Sequence, residues 1–418
     1  MKLIRFYKES FSGLKRDIWA LALIYLVNRC GEMVIPFMSV YLTSQLEFSK
    51  TESGLVLFCF GLGALFGSHV GGYLTDRIGN FKVMAMSLTG TGLGFLGILM
   101  FETFFPLCGW MILTALFSSM FSPAAFSAVT AWGDPANQTR GFSLLRMAIN
   151  LGIAIGPAVG GLLAHNFGYS WVFIVDGLTC FIAVWVLFQV LSHKNRPLSH
   201  STAQVKNTEG DGPSSSSPSP YRDGILLTFL FLNLINMVAF FQILFSVPVY
   251  FKEEIKMSED LIGYFFTANG LLVFLLEMPL VFLIEKHNKF IGPMVTGAIL
   301  IGLGFASLNL FASPIHAIIS YSLLIALGEV INFPLIPTLA MRRSNSDNQG
   351  KYMGVVSMMF AMAFLLAPAS GLPIIEKVGY DSYYLGLACL SMLSGLGLWI
   401  LRKWLMTAKE GSLAQVGS

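Results

Sequence analysis

Residues 71–84 read "GGYLTDRIGNFKVM". Thr75, Asp76, Arg77, Asn80 and Lys82 gather the polar groups into one short turn. An apolar run ends in this turn (53–75) and another leaves it (81–101). A stretch of about 20 mostly apolar residues is long enough to cross a bilayer as a helix. The segment therefore reads as a tight charged turn between two membrane spans, and the rest of the chain repeats that pattern.

Ten further runs of the same kind follow from the sequence: 18–42, 107–132, 141–165, 171–191, 225–251, 260–284, 290–311, 315–339, 352–375 and 382–404. Pro and Gly interrupt several of them, which membrane helices tolerate. The composition agrees. The 418 residues are 55% hydrophobic and 12% charged, against about 25% charge in soluble domains. The net charge of +3 is too small to indicate nucleic acid as a partner. The five cysteines (Cys30, Cys59, Cys108, Cys180, Cys389) are scattered through apolar runs without metal-ligand or disulfide spacing. They read as small packing residues, and no metal site is expected.

Residues 192–224 include "KNTEGDGPSSSSPSPYR", a Ser/Pro/Gly-rich tract that cannot build a core and reads as a flexible linker. It divides the chain into an N-terminal six-helix bundle (1–191) and a C-terminal one (225–418). Of the 26 Lys and Arg residues, 20 lie in the termini, the linker and the loops on their side, and four in the alternate loops. Cytoplasmic loops carry the excess of cations, so both termini and the linker are expected in the cytoplasm. The remaining two, Arg29 and Arg146, fall inside spans.

The two halves repeat. At an offset of 209, Tyr41 meets Tyr250, Ser49 meets Ser258, Gly54 meets Gly263 and Asp76-Arg77 meets Glu285-Lys286. At 211, Pro123 meets Pro334, Pro157 meets Pro368 and Gly168-Tyr169 meets Gly379-Tyr380. Paired six-helix repeats imply an all-α integral membrane protein with pseudo-symmetric bundles, alternating access and a site near mid-membrane.

The turn at 71–84 resembles the cytoplasmic loop signature of the major facilitator superfamily, G-x-L-x-D-R-x-G, through Gly72, Leu74, Asp76, Arg77 and Gly79. Asn80 and Phe81 depart from its usual basic residues. The resemblance assigns this loop, its copy at Glu285 and Lys286, and Asp134 to a cytoplasmic gate. Gly72 is expected to let two helices approach closely, and Asp134 to latch onto the Arg77 loop. In the fifth span, "GIAIGPAVGG" (152–161) resembles the motif of proton-driven drug antiporters through Gly152, Gly156, Pro157, Gly160 and Gly161. A Gly nine residues before Gly152 in the fuller motif is Ser143 here. The Arg that many such antiporters carry in the fourth span is also missing. Arg146 stands in the fifth span instead, one helical turn before Asn150, and could meet Glu277 of the eighth.

The first span holds "YLVNRCGEMVIPF" (25–37), with Asn28, Arg29 and Glu32 set among apolar residues. Intramembrane charges are costly and mark function by default. Arg29 and Glu32 are three apart and share a helical face. By the resemblance, spans one, four, seven and ten line the central cavity. That adds Glu329 and Asn332 of the tenth span, and Glu32, Arg29, Glu329, Asn28 and Asn332 are together the expected proton-coupling and substrate-binding residues. The repeat position of Glu329 is Ser118, so the acid is peculiar to the second half. Asp176 and Glu102 read as structural or solvated. No phosphate-cradling loop and no catalytic constellation is seen, so neither a cofactor nor enzymatic chemistry is expected, and the proton gradient is the expected energy source.

These readings converge on a monomeric, multi-pass transporter of a bacterial inner membrane. It would export a drug-like or amphipathic small organic molecule in exchange for protons. Two alternatives are a proton-coupled importer of a nutrient such as a peptide or siderophore, and a non-transporting receptor of the same fold.

Overall fold

The computed structural model describes residues 14–31, 33–134, 138–192, 220–287, 290–311, 313–344 and 349–407. Among these, the first half forms α1 (Arg16–Cys30), α2 (Val34–Val40, continued by a π-helical turn, Tyr41–Gln45), α3 (Lys50–Ile78), α4 (Asn80–Ile98), α5 (Phe104–Trp132), α6 (Gln138–Phe167) and α7 (Tyr169–Leu191). The second forms α8 (Gly224–Phe245), α9 (Val247–Glu253), α10 (Glu259–His287), α11 (Ile291–Leu310), α12 (Pro314–Asn332), α13 (Leu335–Arg343) and α14 (Gln349–Thr407). Most of the linker, Glu32, and the side chains of Ser143, Glu285 and Lys286 lie outside the described residues.

Eleven helical stretches among the described residues are long and apolar enough to cross a membrane. The last, Tyr352–Trp404, spans 53 residues, and Gly379 interrupts it at φ 81°, ψ 168°. It is two crossings joined by a turn, which makes twelve. Gly168, joining α6 to α7, has φ 89°. A positive φ is the region that favours glycine. The sequence match between Gly168 and Gly379 is thus a match of backbone geometry.

The chain packs as two units, one formed by residues up to 207 with 251–270, the other by 208–250 with 271–418. In the first, Ile18, Leu21, Ile24 and Tyr25 of α1 share a buried core with Met84 and Leu88 of α4, Phe121 and Ala125 of α5 and Leu187 of α7. α3 lies close along α5. A Cβ at Gly67 would stand 2.8 Å from Leu116 Cα, and one at Gly71 2.6 Å from Met120 Cα. Small residues at this four-residue spacing let membrane helices approach backbone to backbone. Gly72 is not among them, contrary to the expectation from the loop motif: a Cβ there would meet nothing within 4 Å. Gly71, one position earlier, faces α5, and a 100° turn of the helix carries Gly72 away from it.

The second unit has its own core, with Leu226, Phe229 and Met237 of α8 against Met294, Leu335, Ile336, Tyr352, Met359 and Ala363. Its α8 is capped by Asp223, whose carboxylate accepts the Leu226 N–H at 3.0 Å. The same carboxylate receives Nε and Nη2 of Arg343, at the end of α13, both at 2.9 Å. Tyr352 Oη adds a fourth donor at 3.3 Å.

Candidate functional site

The first membrane span is not one helix. α1 stops at Cys30, where the Gly31 N–H reaches back to Val27 O at 3.2 Å, and α2 starts at Val34. Pro36 supplies the local cause. It has no N–H for the carbonyl four residues back, and its ring crowds that carbonyl, so a helix breaks about one turn before it. The break leaves the first N–H groups of α2 without intrahelical partners. One of them is satisfied from another helix: Val34 N–H donates to Asp176 Oδ2 of α7 at 3.2 Å. Asp176 is fully buried, so of the two roles expected for it the solvated one is excluded.

Arg29 stands in the last turn of α1, where a cation complements the carbonyl end of the helix. Its Nη2 donates to Ser122 Oγ of α5 at 3.2 Å and to Tyr25 Oη at 3.4 Å. The two hydroxyls bond each other at 2.8 Å, and the guanidinium carbon lies 5.3 Å from the centre of the Tyr25 ring. Arg29 is therefore tied to the fourth span, the helix in which an arginine was missed. Asn28 beside it is 5% exposed. Glu32 lies outside the described residues. Sequence reasoning did not single out Tyr25 or Ser122. Their only sequence signal is that a cation within a membrane span needs acceptors.

The glycines of 152–161 close around this break. A Cβ at Gly152 would run into Arg29 Cβ and stand 3.0 Å from Cys30 N; at Gly156 it would stand 3.0 Å from Cys30 O, and at Gly160 2.8 Å from Met33 Cβ. Three glycines one turn apart thus hold α6 against the end of α1 and the start of α2. Gly161 and Pro157 serve a second contact. A Cβ at Gly161 would lie 3.1 Å from Gly263 Cα, and one at Gly263 would strike Pro157 O. Charge surrounds that contact. Tyr169 Oη donates to Glu259 Oε1 at 2.9 Å, and Lys252 Nζ lies 2.6 Å from the same oxygen. His165 Nδ1 is 3.8 Å from both Glu259 Oε2 and Asp260 Oδ1. Lys50 Nζ pairs with Glu253 Oε2 at 2.9 Å.

The other sequence-predicted residues are placed as follows. Asp76 and Arg77 are exposed at the end of α3, with the Arg77 guanidinium 4.4 Å over the Tyr73 ring. Gly79 follows at φ 89°, where glycine is favoured, and turns the chain into α4. Asp134 is exposed just beyond α5. Arg146 is exposed and Asn150 half-buried on α6. In the second unit, Glu329 is half-buried near the end of α12, and Glu277 of α10 is within its electrostatic reach. Asn332 is fully buried and donates to Met294 O of α11 at 3.1 Å.

Helices long and apolar enough to cross a membrane, arranged as two sequence repeats, define a polytopic membrane protein. The profile of the Major Facilitator Superfamily matches residues 21–255 and 229–417, and the chain belongs to that family. It is 24% identical to the MFS-type transporter YttB of Bacillus subtilis, over 95% of this chain and 98% of the relative. It is also 24% identical to the multidrug resistance protein MdtH of Aeromonas hydrophila, over 84% and 86%. Among solved structures, a peptide transporter POT in complex with sulfate superposes with a TM-score of 0.80 at 15% identity, covering 95% of this chain and 96% of that one. At that identity the likeness is one of fold.

Proposed function

We propose that this protein is a secondary active transporter of a bacterial inner membrane that exports a drug-like or amphipathic organic molecule in exchange for protons. The observation that carries the reading is the clasp of Gly152, Gly156 and Gly160 on the break that bears Arg29. The antiporter-type motif and the intramembrane charge are parts of one arrangement. The likeness to a relative named a multidrug resistance protein points the same way. Coupling is assigned to Glu329, with Glu277 nearby, because a proton relieves the repulsion of neighbouring carboxylates. Arg29, Asn28 and Glu32 meet polar groups of the substrate, and residues 1–191 and 225–418 act as the two moving halves of a monomer.

The test is uptake into inverted vesicles driven by a pH gradient, with a panel of cationic and amphipathic compounds. Wild type accumulates at least one of them. Glu329→Gln loses gradient-driven uptake but keeps counterflow exchange, which moves no net proton. Full gradient-driven flux in Glu329→Gln would remove that residue from coupling. Uptake confined to right-side-out vesicles would reverse the direction. Orientation follows from the cation count: reporters fused at Ser215 and Ser418 both read cytoplasmic, and two periplasmic readings would invert the assignment.

A further inference from the structure

We infer that Asp176 is a positioning residue for transport: by fastening the break in the first span, it sets where Arg29 and the chain around Gly31 stand. The consequence for transport rests on the function proposed above; the fastening rests on geometry alone.

Three observations meet at this residue. Its Oδ2 accepts the Val34 N–H that opens α2, and within a membrane a backbone donor has no water to turn to. Gly31 is pressed onto the same place: a Cβ there would run into Thr179 Oγ1 and stand 2.7 Å from Asp176 Oδ1. Thr179 Oγ1 is itself held by Asp176 O at 2.7 Å. The break therefore lies between two walls, the glycine face of α6 on one side and Asp176 with Thr179 on the other.

The internal repeat supplies the third observation. At the offset of 211 that pairs Gly168 with Gly379, Asp176 is matched by Leu387. At the offset of 209 that pairs Tyr41 with Tyr250, Gly31 is matched by Phe240. Where the acid and the glycine are both replaced, the chain stays helical through the matching position, from Gly224 to Phe245. The seventh span is interrupted only later, at Ser246 between α8 and α9; a break at the position of Gly31 goes with the acid, and where the acid is missing that position stays helical.

Cys30, half-buried at the end of α1, reports on the break without any transport assay. The full chain is prepared with Cys59, Cys108, Cys180 and Cys389 replaced by Ala, and maleimide labelling of Cys30 is followed in native membranes. Asp176→Asn keeps a carbonyl acceptor for Val34 and should label within about twofold of the parent. Asp176→Leu removes the acceptor. It should label about tenfold faster, the change in local opening expected when a charge-assisted hydrogen bond is lost. Both variants remove the same charge, so an effect of charge on the thiol would appear equally in both. Asp176→Ala takes the place of Asp176→Leu if the latter fails to accumulate.

Gradient-driven transport should survive in Asp176→Asn with an unchanged pH profile and be lost in Asp176→Leu. Parent-rate labelling in Asp176→Leu overturns the inference, as does labelling of Asp176→Asn as fast as that of Asp176→Leu. A shifted pH profile in Asp176→Asn makes the residue a titrating group and also overturns it. A wild type that moves no compound sinks the transport reading and leaves the labelling result to decide the fastening.

Discussion

The first and seventh spans are repeat partners, and the two halves of the chain fill them in opposite ways. In the first, Asn28, Arg29, Gly31 and Glu32 accompany a break. At the matching positions the seventh has Met237, Val238, Phe240 and Phe241, and α8 stays helical to Phe245. Aromatic rings occupy the space there. Phe240 lies 4.8 Å from Phe333, and Phe241 and Phe245 each lie 5.4 Å from Phe364, centre to centre. The second half interrupts its seventh span only at Ser246, between α8 and α9, and also breaks the tenth. α12 ends at Asn332 and α13 starts at Leu335, with Pro334 between them. Its repeat partner Pro123 lies inside the continuous α5. The difference teaches that the repeat preserves the number and order of crossings, while each half sets for itself where along a crossing the helix is interrupted and which groups stand there.

The largest effect that would break this comparison is expected from Gly31→Val. The added carbons collide with Thr179 and Asp176, in a core that cannot expand without shifting backbone. Overpacking of this kind costs about 3 kcal/mol, and the variant should unfold at markedly lower temperature in detergent. Phe240→Leu, at the partner position, changes volume modestly and should cost about 1 kcal/mol. Equal losses at the two positions would mean that the break is not tightly walled.

How much of this was legible beforehand divides along physical lines. The crossings were, because burial in lipid demands long apolar runs: 53–75 falls inside Lys50–Ile78 and 107–132 inside Phe104–Trp132. The turn glycines at 168 and 379 were visible as repeat partners. The break was not read, although Pro36 stands in the sequence, because a proline kinks many membrane helices without ending them. Whether it does depends on a partner for the freed N–H, and that partner, Asp176, is 142 positions away. The glycine face of α3 was misread by one residue for a related reason. Periodicity identifies a small-residue face only when the neighbouring helix is known, and Gly71 and Gly72 are indistinguishable until α5 is placed.

A smaller effect separates the ends of the same two spans. At the start of the first, Lys15 Nζ reaches Gly133 O at 3.2 Å from an exposed position. At the start of the seventh, one residue from the matching places, Asp223 and Arg343 form a fork whose side chains are 9% and 12% exposed. Burial pushes the Asp223 carboxyl up. The hydrogen bonds from Arg343, the Leu226 amide and Tyr352, with the Arg343 charge, outweigh it and hold the group below its ordinary 3.8. A carboxyl depressed in the folded state stabilises above its unfolded pKa and loses that contribution as pH falls through the folded value. Asp223→Asn should therefore cost about 1.5 kcal/mol near neutrality. The gap from wild type, read by thermal unfolding, should hold from pH 7 to about 5 and close below about 4. Lys15→Ala should change little at any pH. A gap that persists undiminished at pH 3 would show that the fork acts by shape and not by charge.

The smallest expected effect is the sharpest test of how the two halves pack. Gly63, Gly67 and Gly71 of α3 are matched across the repeat by Leu272, Leu276 and Leu280 of α10, and Gly72 by Val281. The first half thus brings its second span onto its fourth through an absence of side chains, where the second half carries leucine. Gly72 points away from that contact into open space, and its repeat partner already bears a branched side chain. Gly72→Val should then stay within about 0.5 kcal/mol of wild type, as surface replacements do, because relief of glycine's backbone entropy offsets the cost of a β-branched residue in a helix. Gly71→Val, one position earlier, drives carbons into Met120 Cα and should lower the unfolding temperature clearly in the same assay. The two variants differ only in which way the helix turns them. If Gly72→Val proves as damaging as Gly71→Val, the open face of α3 is covered during the transport cycle, and the glycine of the loop motif serves a state other than this one.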